Sequence, residues 1–381
     1  MTSMTPTATP ATDVNADASA APRRRRQWAV AGPSCPQCAG PLVFGEGCSL
    51  CPVCGHSSCA VWRRGYAHPR RGTHSDESDA SSGLRDSRRF DPSPFPSYTH
   101  ALHIGVSMVA GAGTDLRELT KRVRRHIVEM VYGAQSGHIG GSMSATEILA
   151  VLYGRVLRHD PKRPDWPERD RFIMSKGHCT PVQYSILAEN GYFPVDELST
   201  FRKKGSRLQG HSILGKPQGV ENSAGALGMG LSFGLGIRLG LRLLNSDAHV
   251  YVLMGDGEQD EGQVWEAAMA AAHHGVDRLV AIIDRNGIQN DDFTKSTMRT
   301  EPLDEKYRAF GWEVRAGIDG HNLEAVEEAL NWARDVRGKP ALVIFDTVKG
   351  KGVSFMENNP GFHGAAPNAE QFARAMEELG D

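Results

Sequence analysis

Two short segments carry residue types suited to holding a metal ion: Gly255-Asp256-Gly257-Glu258 and Asp284-Arg285-Asn286-Gly287. The carboxylate of Asp256, the amide oxygen of Asn286 and a nearby backbone carbonyl are hard oxygen ligands, the kind that Mg²⁺ or Ca²⁺ selects. Mg²⁺ takes few protein oxygens and completes its shell with phosphate oxygens and water. The flanking glycines let backbone amides approach a diphosphate. Asp-Gly and Asn-Gly are also common turn dipeptides, so the pair by itself leaves a plain pair of turns open. A second constellation lies nearer the start. Cys35-Pro-Gln-Cys38 and Cys51-Pro-Val-Cys54 are two CxxC knuckles, and only Cys179 of the seven cysteines lies outside the stretch from Cys35 to Cys59. Four thiolates at this spacing suit a closed, tetrahedral, structural Zn²⁺. Cys48 and Cys59 remain as alternative ligands, a redox pair or free thiols.

Positioning Asp256 and Asn286 together requires particular elements. Residues 248–254 form a short apolar run that ends in Gly-Asp-Gly, a buried strand feeding a loop. Residues 261–274 are alanine-rich and helical, with Gly275 as the stop. Residues 278–284, 311–316 and 340–347 read as further strands, and Asn322 caps a helix that runs to about Val336. Upstream, Leu116, Leu119, Val123, Ile127, Met130 and Val131 recur at helical spacing. Alternating strands and helices of this length predict an α/β fold, a parallel sheet with helices on both faces. Ligands in such folds sit at the carboxyl ends of the strands, where both turns fall. One helix and one strand fit between Asp256 and Asn286, so both side chains reach one crevice.

The 381 residues carry a net charge of −2 and 40% hydrophobic residues. That balance excludes a fully disordered, a collagen-like or a polytopic membrane chain, and gives the whole no basic character for nucleic acid. The most apolar stretch, 225–244, contains Arg238 and Arg242 and many glycines, which reads as a core helix and not a membrane span. Four divisions are expected. Residues 1–27, rich in Thr, Ala and Pro, form a disordered tail that ends in the basic run 23–26. Residues 28–62 form a zinc-ribbon-like module, 63–112 a flexible linker, and 113–381 the enzyme-like domain. A module of that size buries little core, so zinc would supply much of its folding energy. Clustered knuckles in a large chain fit a reducing cytoplasm better than a disulfide scaffold. No secretory signal is visible.

The Gly255-Asp256-Gly257 and Asn286-Gly287 pair resembles the thiamine diphosphate motif, and the flanking text sharpens the likeness to the diphosphate-binding half of transketolases. Ser136-Gly137-His138-Ile139-Gly140-Gly141, the run from Asp170 to His178, Gly210-His211, Gly225-Ala226-Leu227-Gly228, the run from Thr347 to Gly352, and Gly361-Phe362-His363-Gly364 all match that family in its order. The resemblance covers residues 114–381 and implies a set of roles. Asp256 and Asn286 bind Mg²⁺ or Ca²⁺ with the Ile288 carbonyl. Gly255, Gly257, Gly225 and Leu227 line the cofactor, and His178 contacts its diphosphate. His138, His211 and His363 face the reacting sugar. Glu261 sits where the family places an acidic residue at a subunit interface. Histidines suit such work because small environmental changes set either protonation state.

Thiamine chemistry also needs a glutamate that activates the aminopyrimidine. Transketolases carry it on a second, pyrimidine-binding domain, and no second run of strands and helices follows Gly352 here. The resemblance therefore implies a split enzyme: a separate pyrimidine-binding subunit, a heterotetramer, and sugar or sugar phosphate substrates. The zinc module is expected to recruit that subunit or a carrier protein, in a specialised pathway. The activity the resemblance implies is transfer of a two-carbon ketol unit from a ketose or ketose phosphate to an aldehyde acceptor, and two alternatives stand beside it. One is another thiamine enzyme, of the 2-oxo acid dehydrogenase alpha or deoxyxylulose-phosphate-synthase type. The other is a non-catalytic zinc-ribbon interaction protein.

Overall fold

The computed structural model describes residues 115–380, together with the backbone of three short strands: β1 (Val43–Gly45), β2 (Cys48–Leu50) and β3 (Ser57–Cys59). The chain divides into two compact units, Met1–Ser97 and Tyr98–Asp381. In the first, β1, β2 and β3 pair in order as an antiparallel sheet, with Cys48 opposite Cys59. The expected zinc ligands Cys35, Cys38, Cys51 and Cys54 lie outside the described residues, as do the expected tail 1–27 and linker 63–112.

The second unit runs α1 (Leu116–Ala134), α2 (Gly140–Ser144), α3 (Thr146–Val151), β4 (Arg171–Met174), α4 (Thr180–Glu189), α5 (Gly230–Leu243), β5 (Val250–Gly255), α6 (Gly262–His273), β6 (Leu279–Arg285), α7 (Thr294–Thr297), α8 (Leu303–Phe310), β7 (Glu313–Asp319), α9 (Leu323–Asp335), β8 (Ala341–Asp346) and α10 (Ala369–Glu378). Five strands pair in the order β4-β5-β6-β8-β7, all parallel. Side chains alternate between the two faces of a strand. Accordingly Tyr251, Leu253, Val280, Ile282, Val343 and Phe345 pack toward α1, α3, α4 and α9. Val250, Val252, Ala281, Ile283, Leu342 and Ile344 pack toward α5, α6 and α8. With both faces covered, β5, β6 and β8 read as continuous apolar runs, which is why sequence alone located them; β4, only 4 residues long, was not among the expected strands.

The expected elements are present with shifted ends, and backbone geometry explains the shifts. Arg278 has φ +56° and Gly311 φ +101°, so neither opens a strand; β6 and β7 begin after them. Val336 is extended, and α9 stops at Asp335. Asn322 caps α9 as anticipated, its side chain accepting from the Ala325 N–H at 3.0 Å. The apolar stretch from Gly225 is helical only from Gly230, because residues 225–229 form a glycine-bearing loop. At Gly234 a Cβ would stand 2.4 Å from Val252 Cγ2, so the absence of a side chain lets α5 lie close on β5. Among the described residues no helix is long and apolar enough to cross a membrane.

Candidate active site

The carboxyl ends of four strands converge on a cavity of about 260 Å³. The segment after β4 brings Lys176 and His178, and the turn after β5 brings Asp256, Gly257 and Glu258. The turn after β6 brings Asn286, Ile288 and Gln289, and the segment after β8 brings Lys349 and His363. His138 and Gly141 from the start of α2, His211, and the loop residues Gly225 and Leu227 close the lining. All four expected histidines, both expected side-chain metal ligands, Ile288, Gly225, Leu227, Gly255 and Gly257 therefore line one cavity. Glu261 does not: it is exposed, at the N-terminal edge of α6 and beside Gly228.

The two turns are tied through Asp256. Its carboxylate accepts the Gly257 N–H at 2.9 Å and, across from the other turn, the Gly287 N–H at 2.7 Å. Burial, with the Asp284 carboxylate nearby, pushes the Asp256 carboxyl up to about 6. Such a carboxyl favours a cation beside it, because the charged form then regains what burial costs. Asn286 turns its amide nitrogen toward Asp284 Oδ2 (3.2 Å) and Ser144 Oγ (3.4 Å), which leaves its oxygen on the Ile288 side, where it accepts the Ile288 N–H at 3.2 Å. Among the described residues no group of three His, Cys, Asp or Glu could hold a metal. The donor set here is one carboxylate with amide and carbonyl oxygens, which fits a hard cation shared with phosphate oxygens.

Beneath these turns lies a buried ion pair. The Lys176 ammonium bonds Asp284 and donates to the Gly141 carbonyl at 2.8 Å. Asp284, with no exposed surface, also accepts from Ser144 Oγ at 2.6 Å and from Thr347 Oγ1. Burial alone would raise the Asp284 carboxyl; Lys176 and the hydroxyl donors outweigh it and hold the group below its ordinary value. Glu258 is also buried and bonds Ser175 Oγ, the Gly228 N–H (2.9 Å) and the Gly255 N–H (3.1 Å), which clamps the 225–228 loop against the end of β5. Burial raises its carboxyl. Lys349 donates to the Ile288 carbonyl (2.8 Å) and bonds His363 Nδ1 (2.7 Å); burial lowers its amine to about 8. Sequence reading passed over Lys176, Glu258, Asp284 and Lys349. The available signal was a charged residue at, or a few residues beyond, the end of an apolar strand, which a parallel sheet places at its ligand-bearing edge.

The histidines form one cluster. His138 lies 4.9 Å from His178, 5.3 Å from His363 and 6.1 Å from His211, centroid to centroid. Burial and then the neighbouring Arg202 lower His138 to about 4. Burial and then Lys349 lower His363 to about 3. Burial drives His178 well below its ordinary value too. At neutral pH these imidazoles are uncharged, so each offers one donor and one acceptor. Among the described residues the buried His138 Nδ1 has no hydrogen-bond partner. A depressed folded pKa means the unfolded state takes up protons first. The stability held above about pH 6.5 is therefore lost as pH falls toward 4 and then 3. Urea unfolding midpoints at pH 7 and pH 5 should show this loss, and a His138→Gln/His363→Gln variant should show less of it. An equal loss in the variant would assign the acid sensitivity elsewhere.

Comparison with known proteins agrees with this geometry. The family described as "Transketolase, thiamine diphosphate binding domain" matches residues 116–381. The 6-deoxy-6-sulfo-D-fructose transketolase subunit SqwG of Clostridium sp. (strain MSTE9) is 40% identical over 265 residues, 70% of this chain and 96% of that protein. An apulose-4-phosphate transketolase subunit of Actinobacillus succinogenes is 42% identical over 268 residues, 70% of this chain and 96% of its own length. The solved transketolase from Leishmania mexicana superposes with a TM-score of 0.67 at 32% identity, over 70% of this chain and only 41% of that one. The chain thus matches the subunit relatives nearly end to end and spans about two-fifths of that solved transketolase. From residue 116 onward it has the parallel sheet, the covering helices and the site-bearing strand ends of the thiamine diphosphate binding domain, and it belongs to the transketolase family.

Proposed function

We propose that this chain is the diphosphate-binding subunit of a two-component, Mg²⁺-dependent transketolase that moves a two-carbon ketol unit from a ketose or ketose phosphate to an aldehyde acceptor. The observation that carries the proposal is the convergence of Asp256, Asn286, Ile288 and four histidines on one cavity, in a chain that covers nearly the whole of its subunit-type relatives. Bound thiamine diphosphate supplies a nucleophilic carbon and an electron sink. Asp256, Asn286 and the Ile288 carbonyl hold the cation, and Gly255, Gly257, Gly225 and Leu227 line the cofactor. Glu258 fixes the 225–228 loop against the end of β5. His178 donates to the diphosphate. His138, His211 and His363 hold the sugar hydroxyls. As neutral imidazoles they can take a proton from one hydroxyl and return it to an oxygen. A cluster of histidines at the cavity favours ketol transfer over decarboxylation of a 2-oxo acid.

The aminopyrimidine side of the site belongs, on this proposal, to a separate subunit, in a heterotetramer in the cytoplasm. The module at 28–62, with Zn²⁺ on Cys35, Cys38, Cys51 and Cys54, recruits that subunit or a carrier protein. The test is affinity capture of the tagged chain from its host with Mg²⁺ and thiamine diphosphate, followed by a ketol-transfer assay. We expect a stoichiometric partner with a pyrimidine-binding domain, and transfer only by the pair. Full activity of the chain alone, or capture of no such partner by a chain that binds cofactor, would overturn the split-site proposal.

A further inference from the structure

We infer that His321, held by Glu147 and Arg124, is a positioning residue that fixes the Val348–Lys351 segment and so aims Lys349 into the active-site cavity; this rests on the proposed cofactor role of that cavity. His321 lies outside the cavity, at the turn that follows β7. Its Nδ1 bonds Glu147 Oε2 at 2.9 Å, so the carboxylate fixes the ring with its proton on Nδ1. Nε2 is then an acceptor, and it takes the Val348 N–H at 2.8 Å. Glu147 is oriented in turn by Arg124, with Arg124 Nη1 2.7 Å from Oε1 and Nη2 2.7 Å from Oε2. Arg124 Nε donates to the Lys351 carbonyl at 2.9 Å. Val348 and Lys351 are thereby held from one buried network, and Lys349 lies between them.

The rest of the segment leaves little freedom. The Gly350 N–H donates to the Gly140 carbonyl at 3.0 Å, which ties it to the helix start beside His138. Gly350 has φ +81°, and a Cβ there would stand 2.3 Å from the Met356 carbonyl oxygen. The backbone is thus set on both sides of Lys349, whose ammonium reaches Ile288 and His363. Through the His321–Val348 bond a side chain from the turn after the edge strand β7 sets a backbone amide next to the cavity. Behind His321 a separate cavity of about 330 Å³, lined by Arg117, Thr120, Glu147 and Asn322 among others, gives room for a substituted side chain.

Two variants separate positioning from bulk structure. His321→Gln retains an acceptor at the reach of Nε2. His321→Asn retains only a donor at the reach of Nδ1. In the full-length chain we expect His321→Asn to speed amide exchange across 347–352 and to weaken thiamine diphosphate binding about tenfold, the cost of one unsatisfied buried donor. We expect His321→Gln to restore both to within about twofold. The inference is overturned if the Asn variant leaves exchange unchanged, if Gln fails to rescue, or if both variants unfold. If the unsubstituted chain binds no thiamine diphosphate, the functional proposal fails. Exchange across 347–352 then still decides whether His321 positions the segment.

Discussion

Asp256→Asn is expected to abolish cofactor loading, lowering the affinity for Mg²⁺ with thiamine diphosphate by at least about a hundredfold, because it removes the one carboxylate of the proposed donor set. The substitution conserves size, so it tests charge and not packing. It also replaces one acceptor oxygen by an amide nitrogen. Both carboxylate oxygens of Asp256 accept backbone N–H groups, from Gly257 and Gly287, so either orientation of the amide turns a donor against a donor. Calorimetric titration of the full-length chain reads the loss directly, and a thermal melt separates it from unfolding. Loading at wild-type affinity would remove Asp256 from the metal site and leave a plain pair of turns. The same experiment has a pH arm. The Asp256 carboxyl is raised to about 6, and a cation binds its ionised form. Metal affinity should therefore fall as pH drops through 6, well before an ordinary carboxylate protonates.

Much of this site was legible in the sequence, for a physical reason. A parallel sheet puts the residue after each apolar strand at one edge, so locating the strands by their apolar runs also located Asp256 and Asn286. Gly-Asp-Gly after one strand and Asn-Gly after the next then pointed to the edge that carries the candidate site. The histidines were legible only through family resemblance, since His138, His178, His211 and His363 come from four separate segments and no spacing rule joins them. Less was legible where long-range pairing decides. Nothing local in Glu147 or His321 announces their contact, which links α3 to the turn after β7. Lys349 looks like one more surface lysine in a Lys-Gly-Lys-Gly stretch, yet it is buried while Lys351 is half-exposed. Glu261, expected at a subunit interface, lies on the surface of the single chain and outside the cavity.

Lys176→Met is expected to cost about 3–5 kcal/mol of stability, the penalty for leaving a buried charge without its partner. Lys176 is 3% exposed and Asp284 has no exposed surface, so water cannot replace the lost ammonium. Methionine fills similar space, so the effect reads the lost charge and the lost bond to the Gly141 carbonyl, not packing. The pH dependence gives the argument its second leg. In the unsubstituted chain the Asp284 carboxyl is held below its ordinary value, a contribution present at neutral pH and lost only in acid. Without Lys176, burial dominates, and the Asp284 carboxyl rises above its unfolded value. The sign then reverses: the folded variant binds the extra proton, so it gains stability relative to the unsubstituted chain as pH falls from 8 to 5. Urea unfolding at those two pH values measures the crossover. Ser144 and Thr347 still donate to Asp284, so the variant keeps enough structure to be measured. A loss below about 1 kcal/mol, the level of an exposed pair, with no change in pH slope would mean that water reaches the pair. The converse holds for the cavity above it. The pair joins the end of β6 to the segment after β4, and Asp284 also bonds Asn286. A fall in stability should therefore be matched by weaker metal binding, because the same carboxylate that balances Lys176 orients the amide of the proposed ligand.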